Sequence, residues 1–295
     1  MIAAIECAGA PRDLGLDQGR ACRGSLREAF QRSPLRERWP LPLDAAHARL
    51  ARDLKRHFPH LAESLAGLAA GAGVPERWLV RRLADELVAP RASRVVASAG
   101  AAGALLAVDC TGPWIARRSR PEGGFVCLEL ARPWLAACFA GVNEAGLAVV
   151  AAPGGGAPGA CVAPAALLAQ DCLQRFAKVE SALDWCVGRP AGSSAALLLA
   201  GAGGELAGVE IRAGSRRLLH PEGALLAWSN AGDAGAELAK ALREAAPATA
   251  AALARVLAPS AAAVLDPAAR RLTVLAGGEP DWVSLQEGDV GSGVQ

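Results

Sequence analysis

Only two of the 295 residues are asparagine, Asn143 and Asn230, and both stand at the end of an apolar run. Asn143 lies in Gly141-Val142-Asn143-Glu144-Ala145-Gly146-Leu147, and Asn230 follows Ala227-Trp228-Ser229 directly. Turn chemistry alone accounts for an Asn beside Gly between two strands, so a structural and a functional use of Asn143 are both open. The eight cysteines are never closer than eleven positions, which leaves neither a CxxC redox pair nor a zinc knuckle. They read as small buried thiols in a reducing compartment. His57 and His60 flank Phe58-Pro59 with no carboxylate at ligand spacing, His47 sits on an apolar stripe, and His220 precedes a Pro-Glu-Gly turn. No GxSxG elbow is present. The glycines at 154–156 and 201–204 lack the spacing that cradles a phosphate and read as turns. Arg117, Arg118 and Arg120 read as the solvated face of a hairpin.

Positioning such residues takes a framework, and the composition describes one. With 31 basic against 29 acidic side chains the net charge is +2, which excludes a polyanion binder held by charge alone. Apolar residues make up 52% of the chain, enough for a large core. Met1 to Glu6 carries no basic region and no signal-peptide apolar stretch, and a cytoplasmic protein is expected. Residues 10–90 read as helical, with Leu43, His47, Leu50, Leu54 and Phe58 on one stripe and Pro75 opening a later helix. From Ala92 the period changes to strands at Val95–Ser98, Ala104–Asp109, Phe125–Leu130, Trp134–Ala140 and Leu147–Ala152. Helices at 163–177 and 181–187 follow, then strands Ala195–Ala200, Leu206–Ile211 and Ala224–Ser229. Helices within 234–257 and a closing hairpin, Ala262–Leu265 with Leu272–Ala276, complete the chain. Runs apolar at every position require cover on both faces, so two stacked sheets between helical layers are expected, an α+β fold.

Several segments, in order, resemble the acyl-coenzyme A:6-aminopenicillanic acid acyltransferase family and its choloylglycine hydrolase relatives, which are N-terminal-nucleophile (Ntn) enzymes. Gly9-Ala10-Pro11-Arg12-Asp13-Leu14-Gly15 with Gln18-Gly19 is similar to the family's opening motif. Phe58-Pro59-His60-Leu61 through Leu65 to Val74 is similar to its tract before the processing site, Gly141 to Leu147 to its GxNxxGL turn, and Val264-Leu265-Asp266-Pro267 with Leu272 to its closing hairpin. The resemblance implies a four-layer αββα sandwich in one compact domain, with 1–91 as the propeptide or α-chain equivalent and 92–295 as the core. It implies autocatalytic cleavage, a nucleophile whose own α-amine is its base, and amide hydrolysis or acyl transfer on a small acylated amine or peptide. Asp109 matches the aspartate that orients the nucleophile region, Asn143 an oxyanion asparagine, and Asn230 a second site asparagine.

At the decisive position the chain departs from that pattern. The family's nucleophilic cysteine falls on Ala92, in Ala92-Ser93-Arg94-Val95-Val96, and the arginine that lines the site falls on Leu106. Arg243 and Arg255 are the candidates for a late arginine. Three expectations follow: a relative that kept the pocket for binding while catalysis is attenuated or lost, an active autoprocessing enzyme using Ser93 or Cys110, or a substitution at Ala92 that traps a precursor. No metal, nucleotide or organic cofactor is implied, and coenzyme A thioester enters only as a substrate of the acyltransferase branch. Partners are expected to be a small acylated amine or peptide, with neither nucleic acid nor membrane.

Overall fold

The structure is a computed structural model that describes residues 3–34, 45–88, 93–110, 112–154, 165–190, 194–212, 215–231, 234–247, 249–257, 261–276 and 279–284. Two sheets form its centre. The larger has the order β1 (Ala3–Gly9), β4 (Ile115–Pro121), β5 (Cys127–Ala131), β6 (Ala140–Asn143), β7 (Leu147–Pro153), β8 (Ala195–Gly201), β9 (Leu206–Arg212) and β10 (Ser215–Leu219). The smaller runs β11 (Leu225–Ser229), β2 (Arg94–Gly100), β3 (Gly103–Asp109), β12 (Ala261–Asp266), β13 (Arg271–Ala276) and β14 (Glu279–Ser284). Strand periodicity explains the unbroken apolar runs. In β7, Leu147, Val149 and Ala151 enter the core under the helices, while Ala148, Val150 and Ala152 enter the core between the sheets. On β3, Leu106 and Val108 face that inner core and Ala107 faces an outer one.

Two helical layers enclose the sheets. Over the larger sheet lie α1 (Pro11–Ala21), α2 (Arg23–Arg32), α3 (Ala45–His57), α4 (Pro59–Ala72), α5 (Glu76–Val88), α6 (Ala165–Arg175) and α7 (Val179–Gly188). Over the smaller sheet, Leu238 and Leu242 of α8 (Ala234–Ala245) and Leu253 and Leu257 of α9 (Ala250–Leu257) pack on Val96, Ala107 and Val264. The expected four-layer αββα order is therefore present.

Between α1 and α4 the approach is close enough to exclude side chains. A Cβ on Gly15 would lie 1.8 Å from the Ser64 carbonyl oxygen, one on Gly67 2.0 Å from that of Arg12, and one on Gly71 2.3 Å from that of Leu16. The glycines of the opening motif and of the tract before residue 75 thus form one helix–helix seam. The segment is also a strand donor, because β1 pairs in parallel with β4 from Ala3 opposite Ile115 to Gly9 opposite Pro121.

Beneath α1 a buried polar network joins four elements. Arg117 Nε donates to Glu129, its Nη1 to Gln18 Oε1, and its Nη2 to Gln170 Oε1 at 2.7 Å. Glu129 Oε1 also accepts from Ser119 Oγ at 2.8 Å and from Gln170 Nε2. Each carboxylate and amide oxygen has a donor, which is the condition for a buried ion pair to be tolerated. Arg117 therefore corrects the expectation of a solvated basic face. Only Arg118 and Arg120 turn toward Glu6, at 3.8 and 3.9 Å.

Trp134–Ala140 is a second correction, since strand geometry begins only at Ala140. The carbonyls of Arg132, Pro133 and Leu135 are taken by Gln18 Nε2 at 3.3, 3.1 and 3.1 Å instead of by a neighbouring strand. Strands β1, β10 and β14 were not expected, and β4 only as part of a hairpin. Of these, β4 and β10 are arginine-bearing and do not read as apolar runs.

Candidate functional site

Three of the residues singled out above meet where β2, β3 and β11 end together. In the antiparallel register Val95 stands opposite both Val108 and Trp228. Two residues further, Ser93 comes level with Cys110 on one side and Asn230 on the other. Val95, Val108, Cys110 and Trp228 all belong to the core between the sheets, so by parity this row belongs to the same inner face.

Asn230 joins the two sheets. Its Oδ1 accepts the main-chain N–H of Ser93 at 2.9 Å, its main-chain N–H donates to the Ser93 carbonyl at 3.2 Å, and its Nδ2 donates to the Pro153 carbonyl at 3.0 Å. Pro153 is the last residue of β7, in the facing sheet. Ser93 is 7% exposed, so the row is a nearly closed seam at the strand ends.

Asp109 supports the row from behind. Its parity is that of Leu105 and Ala107, which pack toward the outer helices. Oδ1 accepts the Arg94 main-chain N–H at 3.1 Å, and Oδ2 lies 3.8 Å from Arg94 Nε. Burial raises its carboxyl above the ordinary range, and the N–H and charge of Arg94 only partly offset this. Asp109 thus fixes where β2 begins. Cys110 is 2% exposed and its main-chain N–H donates to Ala261 at 3.0 Å. Burial, aided by the Asp109 charge, pushes its thiol up to about 12. A thiol so placed is protonated at neutral pH and is no activated nucleophile.

The chain resembles solved acylases and amidases in structure. An N-acylethanolamine-hydrolyzing acid amidase ortholog from Caenorhabditis elegans is 13% identical, over 60% of this chain and 93% of that one, with a TM-score of 0.48. Penicillin V acylase from Agrobacterium tumefaciens is 15% identical, over 65% of this chain and 86% of that one, also at 0.48. A mutant conjugated bile acid hydrolase from Clostridium perfringens is 8% identical, over 66% of this chain and 92% of that one, at 0.44. No protein-family model matches the chain, and no curated protein matches it in sequence. The functional reading rests on the geometry of this chain's own residues.

Asn143 is not in the row. It lies at the opposite end of β7 from Pro153, and six residue steps of strand put the two about 20 Å apart. Its side chain is committed to the turn: Nδ2 donates to the carbonyls of Leu173 and Phe176 at 2.9 and 2.8 Å, and Oδ1 accepts the Leu147 N–H at 2.9 Å. The Asn143 side chain is therefore engaged in the turn and is not among the groups of the row. The late-arginine candidates also fall elsewhere. Arg243 bonds Glu222 Oε2 at 2.6 Å, beside the far ends of β2 and β11, and Arg255 is exposed in the last turn of α9. Ala92 lies outside the described residues.

One group beside the row was not anticipated. Trp228, two residues before Asn230 on the same face of β11, donates from Nε1 to Glu210 Oε1 at 3.2 Å. Glu210 is 5% exposed and also accepts from Arg212 Nη2 and Arg217 Nε, each at 2.9 Å. Burial alone would raise its carboxyl, but the bonds from Arg212 and Trp228 and the charges of Arg217 and Arg212 outweigh it and hold the group below its ordinary value. A sequence signal existed: Glu210 is a charge on the inward parity of an otherwise apolar strand.

Proposed function

We propose that this chain belongs to the Ntn amide hydrolase and acyltransferase lineage, with residues 1–91 standing where the propeptide or α-chain stands. Its Ser93–Asn230 row binds a small acylated amine or peptide, and autoproteolysis and covalent turnover are attenuated or lost. One observation carries the reading. The position where the family's nucleophile falls is Ala92, whose methyl side chain has no group to attack a carbonyl, and the Ser93 amide beside it donates to Asn230 Oδ1 at 2.9 Å. An amide N–H accepts no proton, and the one thiol in the row, Cys110, is held protonated. The row keeps main-chain and carboxamide groups at the sheet ends, where an acyl carbonyl and its amine could be held. Catalysis would need a new α-amine, hence a cut chain. Localisation in the cytoplasm is part of the proposal. Among the described residues, no helix is long and apolar enough to cross a membrane.

The test is the denatured intact mass of fresh protein, with calorimetric titration of N-octanoylglycinamide as the ligand probe. A single 30.0 kDa chain that binds the probe is the expected result. Two fragments from cleavage of the bond before Ser93 or before Cys110 would replace this reading with that of an active self-processing enzyme.

A further inference from the structure

Two of the buried thiols stand against each other. Cys172 of α6 and Cys186 of α7 are both fully buried, and their Sγ atoms are 3.4 Å apart. A disulfide sets its sulfurs about 2.05 Å apart, so the pair has to close by only about 1.4 Å, a small side-chain adjustment. The residues before them make a matching rung: Trp185 Nε1 donates to Asp171 Oδ2 at 2.7 Å, across the same offset of 14 positions that separates the thiols. That bond fixes the rotation of α7 about its axis and turns Cys186 toward Cys172. The Cys172 thiol also reaches the carbonyl of Ala182, one turn before Cys186 on the same helix face, at 3.6 Å. Contact with Cys186, and after it burial, holds the Cys172 thiol well above its ordinary range, so the resting pair is reduced and protonated. The two rungs also carry the N-terminal helical segment. Arg189, just after α7, stacks 4.2 Å over the Trp185 ring and donates from Nη2 to the His57 carbonyl at 3.2 Å, and His60 Nε2 lies 3.1 Å from Asp171 Oδ1. The junction of α3 and α4 therefore rests on the last turn of α7.

We propose that Cys172 and Cys186 are a site of reversible disulfide formation, oxidised by small disulfides, and that the bond fastens α7 and with it the α3–α4 junction to the core. The inference does not depend on the ligand reading above. The end of α7 is where an oxidant enters, since Val187 is 41% exposed and a Cβ on Gly188 would meet nothing within 4 Å. Fraying of that turn brings out Cys186 first, while Cys172 stays in a helix whose residues 165 to 173 are all buried. The Cys186 thiolate attacks one sulfur of the small disulfide RSSR, and RS⁻ leaves and takes up the proton that Cys186 gave away. As the turn closes, the Cys172 thiolate attacks Cys186 Sγ, and the second RS⁻ leaves and takes up the proton of Cys172. The protein loses two hydrogens with their two electrons, and the small disulfide gains them as two molecules of RSH. Only residues 176–178 separate the two helices, so the second attack closes a short loop at little entropic cost.

The experiment incubates the full chain with 2-hydroxyethyl disulfide and reads intact mass, peptide maps and thermal midpoint before and after dithiothreitol. The expected result is a loss of about 2 Da per chain, a linked peptide pair carrying Cys172 and Cys186, and a midpoint raised by about 5 °C that dithiothreitol reverses. Amide exchange of residues 57–61 is expected to slow at least threefold on oxidation. Cys186→Ala is expected to remove the link and both shifts. Because that variant alters a buried position, the parent chain also decides by itself. No loss of mass, a lasting mixed disulfide on either thiol, or a link made through any other cysteine overturns the site. A Cys172–Cys186 link that leaves exchange at 57–61 unchanged overturns the fastening of the N-terminal segment.

Discussion

Replacing Gly67 by alanine tests the helix seam against the ordinary rule for helices. In an open helix the change gains about 1 kcal/mol, because alanine loses less backbone entropy. Here the new Cβ would stand 2.0 Å from the Arg12 carbonyl oxygen, a backbone atom that cannot rotate away, and α1 must retreat by about 1.4 Å to restore an ordinary contact of 3.4 Å. The same helix carries Gln18, whose Nε2 donates to three carbonyls at 3.1 to 3.3 Å and whose Oε1 accepts from Arg117. A shift of that size takes those bonds out of range. Overpacking costs about 1–3 kcal/mol, and weakening a bond to a buried charge about 1.5–3 kcal/mol. Set against the gain in helix propensity, Gly67→Ala is expected to destabilise by roughly 2–4 kcal/mol. The assay is urea unfolding, read as a lower midpoint at unchanged slope. Gly24 in α2 is the control, since nothing lies within 4 Å of its added Cβ and alanine there is expected to be neutral or stabilising. A Gly67→Ala chain as stable as the parent would refute the seam.

Asn143→Ala removes a donor from the Leu173 and Phe176 carbonyls and the acceptor of the Leu147 N–H, and is expected to cost about 2–4 kcal/mol while leaving probe affinity unchanged, which separates it from the site. Asn230→Ala is expected to do the reverse in proportion, weakening N-octanoylglycinamide at least tenfold with a smaller stability loss, by calorimetry and urea melts on the same samples. Alkaline pH should unfold the protein through its thiols. Burial raises Cys7 and Cys110 from 9.0 to about 12, so the native state keeps protons that the unfolded chain releases. That stability is present below pH 9 and is lost as pH climbs toward 12. At pH 10 the two thiols together account for about 3 kcal/mol. With no tyrosine and three lysines, the other cysteines are the main further groups that titrate in that window, and burial raises Cys22, Cys127 and Cys138 in the same direction. Cys110→Ala should flatten the decline between pH 8 and 10, and an equally steep decline in the variant would contradict it. Finally, a thiolate fraction of about one in ten thousand at pH 8 predicts no iodoacetamide labelling of Cys110 in the native chain and full labelling in urea, read by peptide mass mapping.

Strand periodicity made the double-sheet centre legible, because Leu147–Ala152 and Ala195–Ala200 are apolar on both parities and have to be covered twice. The row of Ser93, Cys110 and Asn230 was half legible. Each residue stood out, but their coming level depends on the register of β11 and β3 on β2, which local pattern does not encode. Asn143 was ambiguous in sequence because an Asn that closes a turn and an Asn that binds an oxyanion look alike until their partners are known. Arg117 misled for a separate reason: its charge is met by Glu129 and its other donors by Gln18 and Gln170, the farthest of them 99 residues away. The glycines of α1 and α4 were noticed as motif residues, whereas the backbone-to-backbone approach that requires them is visible only in three dimensions.

The α1–α4 seam also bears on the order of assembly. Its contacts join residues about fifty positions apart, whereas β1 must find β4 more than a hundred positions away. Loop closure favours the shorter partnership, so the helical pair is placed to form while the strands of the larger sheet are still unpaired. Once formed, it holds Gln18 ready to collect the carbonyls of 132 to 135 and to receive Arg117. The first ninety residues then act as an internal template on which the larger sheet is laid, and separating them in expression should cost yield of folded protein before it costs anything at the site.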